Sequence, residues 1–150
     1  LIELYLSHPF AYRHQALRIE KRLEKNLDIE LRNPFYQSFE KKHIEELDRQ
    51  KQRLPEFRIE QLKMYGKGYF TKIVEKDLES IRETDGTLTL VPKAFSIGTF
   101  MEVWYAHSIG KPVFIIVYPK AEHHPWLQYC ASQLFTSVPD FEEWWKSEYR

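Results

Sequence analysis

The run Val113-Phe114-Ile115-Ile116-Val117-Tyr118 is apolar almost throughout, so a strand built from it has no face to offer water and must be covered on both sides. Strands of that kind sit inside parallel sheets with helices above and below. The segment before it supports this, because the helix-like text that ends near Ile109 stops at Gly110, the residue best suited to a left-handed C-terminal turn.

The rest of the chain alternates in the same way. A first strand, Ile2 to Leu6, halts at Ser7, His8 and Pro9, since proline cannot continue a central ladder. From Tyr12 to Asn26 the apolar residues Ala16, Leu17, Ile19 and Leu23, with Leu27 just beyond, recur at helical spacing, with charged residues between them. A second strand around Ile29 to Leu31 ends at Asn33-Pro34, where the residue before proline is pushed to extended geometry. Thr71 to Arg82 reads as a helix with Ile73, Val74, Leu78 and Ile81 inward, and Asp85-Gly86 turns the chain into a strand from Thr87 to Val91. A short strand follows near Leu134 to Thr136, and then a last helix from Phe141, with Asp140 as N-cap and Glu143 completing a capping box.

These units predict one α/β domain over residues 1–150, a Rossmann/flavodoxin-like three-layer sandwich with a mainly parallel five-stranded sheet. Active sites in such sheets lie at the carboxyl ends of the strands, so the loops after Leu6, Val91 and Tyr118 are where chemistry is to be sought. The segment from about 35 to 69 does not follow the alternation. It is strongly charged, helical from Ser38 to about Leu54, broken by Pro55 and loosened by Gly66-Lys67-Gly68. It is either a flap or a solvated helical hairpin, and the hairpin is the ordinary outcome.

Charge narrows the partners. Lys plus Arg and Asp plus Glu number 22 each, so no overall positive field gathers a nucleic acid polymer. The longest apolar runs are too short to span a bilayer. A single cysteine, Cys130, and no charged-then-apolar leader predict a cytoplasmic setting, with Cys130 a small buried hydrophobe. His123-His124 lacks the neighbours of a metal site and reads as loop. One indole of Trp144-Trp145 is expected to cover the core, and the other to sit at a surface or interface.

Ser96-Ile97-Gly98-Thr99-Phe100-Met101-Glu102 puts a polar turn at a helix entrance and a carboxylate in or near the first turn. Free N–H groups and the dipole there favour an anion and keep a nearby carboxylate ionised. Such a glutamate is usually structural. However, Gly98 to Val117, GTFMEVWYAHSIGKPVFIIV, resembles the signature of the nucleoside 2-deoxyribosyltransferase superfamily. Tyr5-Leu6-Ser7-His8-Pro9-Phe10 is similar to the family's first strand and loop, and Val74 to Ile81 resembles its helix carrying an Asp that contacts the base.

The resemblance implies a double displacement on the N-glycosidic bond of a (2'-deoxy)nucleoside or nucleoside 5'-monophosphate, with transfer to another nucleobase or to water. Glu102 is then the nucleophile and Asp77 the proton donor. Tyr5, Ser7, Phe10, Ser96, Gly98 and Thr99 would bind substrate, no metal or other cofactor is required, and a homo-oligomer is expected. Arg13 could clamp a phosphate or begin a surface helix. Two departures matter. Ser96 stands where transferases of the family have an Asp for the sugar hydroxyls, which tilts the reading towards a 5'-phosphate. The Asn that a neighbouring subunit offers is missing near His124-Pro125-Trp126-Leu127. The competing readings are a non-catalytic nucleotide-binding module and an NAD-type glycohydrolase.

Overall fold

The computed structural model describes residues 1–37, 40–94 and 96–149. Five strands, β1 (Ile2–Ser7), β2 (Ile29–Arg32), β3 (Gly86–Val91), β4 (Val113–Val117) and β5 (Gln133–Phe135), form one sheet in the order β2-β1-β3-β4-β5, parallel throughout. The order reverses between β1 and β3. That places a crevice beyond the ends of those two strands, next to Ser7 and Val91.

Strand alternation sorts the core into two layers. Leu4 and Leu6 of β1 face one side, where α1 (Arg13–Asn26) and α8 (Val138–Glu148) cover them with Ala16, Leu23, Phe141 and Trp145. Tyr5 faces the other side, under α5 (Lys67–Glu83), α6 (Ile97–Ser108) and α7 (Pro125–Cys130), with Ile81, Val103, Ala106 and Leu127. β4 is buried along its whole length, as its composition predicts. Gly86 opens β3 where a Cβ would meet the Pro112 carbonyl oxygen at 2.8 Å, so the close β3–β4 approach at the rim depends on glycine. Gly110, at φ 79°, stops the chain after α6 as expected.

Several expectations change. The capping residue of the last helix is Ser137 rather than Asp140: its hydroxyl accepts from the Asp140 N–H at 3.2 Å, and Val138-Pro139 form the first two helical positions, where proline loses no hydrogen bond. The 38–54 stretch is not one helix broken at Pro55. α3 (Lys41–Gln50) ends at Lys51 in the left-handed conformation, and α4 (Leu54–Tyr65) begins with Pro55 in its first turn. The expected start at Ser38 lies outside the described residues. Only Gly66 breaks the chain after α4, for Lys67 and Gly68 already belong to α5. Val74 is exposed rather than inward, because α5 is buried only at Ile81 and turns its partly covered face, Ile73, Asp77 and Leu78, to the sheet side. Pro125–Cys130 is a helix that the sequence reading did not assign, capped by His124, whose Nδ1 accepts from the Trp126 N–H at 3.2 Å.

Ile44 and Leu47 of α3 and Phe57 of α4 form a small core of their own, which closes on Phe10 and on Phe35 of the short helix α2 (Pro34–Gln37). The charged excursion is therefore docked on the loop after β1. Arg13 strengthens the attachment: its guanidinium lies 4.1 Å above the Phe10 ring, donates to the Phe10 carbonyl at 3.1 Å and pairs with Asp48 of α3. Trp145 is buried in the layer of α1 and α8 and Trp144 packs half-buried against it, and Cys130 is buried and in no disulfide.

Candidate active site

Glu102 is the sixth residue of α6, a turn and a half in, and it points towards β1. Ser7 donates to its Oε1 at 2.9 Å, and the Tyr5 hydroxyl donates to Oε2 in a short contact. Both donors come from one face of β1 because they are two residues apart in a strand. The carboxylate is thus gripped at both oxygens by the strand at the switch point.

Burial, more than the helix dipole, sets its charge. The dipole fades within the first turn, which Glu102 has left. Desolvation pushes its pKa up from 4.5 to about 7, against the downward pull of the Tyr5 and Ser7 hydrogen bonds. Asp77, on the facing side of α5, is pushed up from 3.8 to about 8, chiefly by burial, then by the charges of Glu102 and Glu40, with Arg58 pulling the other way. Burial, with both carboxylates nearby, holds the Tyr5 phenol well above its usual value. Two neighbouring carboxyls thus titrate near neutrality, and Asp77 retains its proton longer. That arrangement suits one group for attack and the other for proton donation.

The excursion supplies part of this field. Glu40, 3% exposed, accepts from Arg58 Nη1 at 2.7 Å and from Gln61 Nε2 at 3.3 Å, while Gln61 also donates to the Tyr69 hydroxyl at 3.2 Å. Tyr69 precedes Asp77 by two helical turns on α5. Sequence reasoning missed Glu40, Arg58, Gln61 and Tyr69. Their signal was only a charge-rich segment of unknown position.

Ser96 caps α6: its Oγ accepts from the Thr99 N–H at 3.4 Å and lies 2.8 Å from the Thr99 Oγ1. Thr99 is buried, whereas Gly98 is exposed, with nothing within 4 Å of where a Cβ would stand. Phe10 packs into the excursion's core and Arg13 is held by Asp48, so neither is drawn to Glu102. Among the described residues no group of three or more His, Cys, Asp or Glu is placed to hold a metal ion, and no helix is long and apolar enough to cross a membrane.

The fold and the site define a parallel α/β sandwich with a hydroxyl-held glutamate and a proton-retaining aspartate at its switch point. No protein-family model and no curated protein matches the chain. Among solved structures, the fold is shared with a 2-deoxyribosyltransferase of Bacillus psychrosaccharolyticus at 20% identity and TM-score 0.63, over 93% of this chain and 90% of that one. It is shared with the CMP N-glycosidase BcmB of Clostridium botulinum at 14% identity and TM-score 0.55, over 97% and 98%. A conserved protein of Enterococcus faecalis V583 aligns at 12% identity and TM-score 0.62, over 98% of each chain.

Proposed function

We propose that the protein cleaves the N-glycosidic bond of a (2'-deoxy)nucleoside or nucleoside 5'-monophosphate through a covalent intermediate on Glu102. One observation carries the reading: a glutamate held at both oxygens by Tyr5 and Ser7 beside an aspartate that keeps its proton near pH 7. The activities printed for two proteins of the same fold, deoxyribosyl transfer and CMP N-glycosidase, support it.

In the first step a Glu102 oxygen attacks C1' of the sugar as the C1'–N bond breaks. The bond's electron pair goes to the base, and the Asp77 proton passes to a base nitrogen. In the second step another base or water attacks C1', the ester to Glu102 breaks, and the proton lost by the attacker goes to the Asp77 carboxylate. The two displacements retain configuration. Tyr5 and Ser7 keep the nucleophile aimed, and their bonds weaken in the first step as its charge is spent.

The 5'-phosphate is proposed to lie at the start of α6, where the Ile97 and Gly98 N–H groups precede the helix's own hydrogen-bond ladder and Ser96, whose Oγ caps the Thr99 N–H, stands in place of a carboxylate. Gly98 leaves that approach open. A homo-oligomer belongs to the same reading: Ile97, Met101 and Trp104 of α6 and Trp126 and Tyr129 of α7 are exposed apolar side chains. Light scattering that gives a monomer mass at assay concentration would remove it. Incubating the protein with a nucleoside, its 5'-monophosphate and NAD, each with and without a free base, and separating products by chromatography tests the reaction. Release of free base from the first or second supports it. Cleavage of NAD alone, or of none, overturns it.

A further inference from the structure

Behind the loop after β1 lies a polar array that this chemistry does not use. His8, the residue after Ser7, is 3% exposed, Asn33 at the end of β2 is 0% exposed, and Glu20 in mid-α1 is 6% exposed. His8 Nδ1 lies 3.0 Å from the Pro9 carbonyl oxygen and Nε2 3.2 Å from Asn33 Oδ1, while Asn33 Nδ2 donates to Glu20 Oε2 at 2.9 Å. Phe35 packs on the imidazole, ring centres 5.1 Å apart. Glu20 shares the inward stripe of α1 with Ala16 and Leu23, where an apolar residue would be the ordinary choice.

Counting hydrogens fixes the orientation of the Asn33 amide in this array. With Glu20 ionised, the Asn33 amide donates to it, the Asn33 oxygen faces the ring, and both ring nitrogens donate, as in imidazolium. The Asn33 oxygen also accepts from the Phe35 N–H at 3.3 Å, so the amide cannot turn end for end without setting its own N–H groups against that donor. Burial lowers the His8 pKa and raises that of Glu20, while the Asn33 hydrogen bonds pull each back towards its charged form. In this one orientation the Asn33 amide serves His8, Glu20 and the Phe35 N–H together. A buried array that is fully satisfied rigidifies what it joins. Here it joins the loop after β1 to the end of β2 and to α1.

We propose that His8, anchored through Asn33 to Glu20, is a positioning residue that fixes the turn after β1 so that the Ser7 hydroxyl stays on Glu102. Ser7 and His8 share a peptide unit, and the loop beyond has left the sheet, so nothing in the ladder past Ser7 fixes that unit. The proposal rests on Glu102 being the nucleophile, and it assigns the array no contact with substrate.

The test is a double-mutant cycle between His8→Phe and Ser7→Ala, read by kcat, KM and the titration of the Glu102 carboxyl, followed by carbon-13 NMR. Ser7→Ala alone should lower kcat about 10-fold at pH 7 and raise the Glu102 midpoint by about one unit. His8→Phe should lower kcat about 5-fold with KM within about 2-fold and raise the same midpoint, yet change kcat less than 2-fold when Ser7 is already Ala. Equal losses in both backgrounds, or an unmoved midpoint in folded His8→Phe, would overturn it. Should that variant fail to fold, Glu20→Leu takes its place in the cycle, and Glu20→Gln, which keeps the hydrogen bond, should restore kcat to within about 3-fold of the parent. A Gln variant as poor as the Leu variant also overturns it. A parent without glycosidic activity would end the reaction reading while the titrations still decide this one. An active parent with an additive cycle would end this inference alone.

Discussion

Replacing Tyr5 with Phe removes one hydroxyl from a fully buried ring and leaves the apolar packing in place, so its effect falls on Glu102. The phenol donates to Oε2 and, with Ser7, holds the Glu102 pKa down against burial. A hydrogen bond to a charged acceptor contributes about 1.5–3 kcal/mol, of which part is recovered by rearrangement, leaving a rise of about one pKa unit, or about 1.4 kcal/mol. In the parent, attack needs ionised Glu102 and fails as pH drops below about 7, while base departure needs protonated Asp77 and fails above about 8. The profile of kcat/KM is then a bell centred near 7.5, with about 0.6 of the molecules in the working form at its top, the two midpoints belonging to the pair. In Tyr5→Phe the acid midpoint meets the alkaline one near 8, the working fraction peaks at about one third, and activity falls about 8-fold at pH 6.5 but only about 2-fold at the optimum. Initial rates of base release between pH 5.5 and 9.5, with unfolding checked at each pH, provide the assay. An acid limb that stays in place in a folded variant would show that the Tyr5 hydroxyl does not hold the Glu102 pKa down.

Asp77→Asn should abolish the alkaline limb and lower kcat about 100-fold for an ordinary base, with little loss for a substrate whose leaving group needs no proton. Because the folded pKa of Asp77 is raised, the parent loses stability as pH climbs from about 4 to 8, and Asp77→Asn should be more stable at pH 9 by about 2 kcal/mol in urea unfolding, after allowance for solvent screening; equal stability there contradicts the assigned burial. Ser96→Asp should shift preference from nucleoside 5'-monophosphate to nucleoside by about 10-fold or more in kcat/KM, since a carboxylate at that cap repels phosphate; an unchanged ratio removes the phosphate site. Arg13→Ala should cost about 1–2 kcal/mol and raise protease sensitivity in α3 through loss of Asp48 and Phe10, with no specific loss of phosphorylated substrate; loss confined to the monophosphate would return Arg13 to the site.

Where periodicity was strong, the sequence was readable. Val113 to Val117 could only be an interior strand, and Gly110 could only be a stop, so the sheet and the helices facing it followed. The grouping of Tyr5, Ser7, Asp77 and Glu102 was legible from the resemblance, because all four sit on regular elements close to the switch point. The excursion was opaque for a physical reason: charge at Glu40 or Arg58 says that a helix has a polar face, not that the face closes over Asp77. Pro55 was read as a breaker because its place in a first turn depends on where Lys51 ends the previous helix. Asp140 was read as the cap and Ser137 passed over, because both residue types cap well and only the backbone decides where the helix begins. Glu20 interrupts an apolar stripe, a visible anomaly, but its partners His8 and Asn33 lie on two other elements.

A glycosyl-enzyme mechanism requires a sugar carried on Glu102, and mass spectrometry of the intact protein and its peptides, quenched in acid during turnover, measures that adduct directly. The peptide containing Glu102 should gain the mass of one (deoxy)ribosyl or phosphoribosyl group, a gain absent in Glu102→Gln, which should be folded and slower by about 1,000-fold or more. An adduct on another residue, or Glu102→Gln turning over within about 10-fold of the parent, would contradict that mechanism.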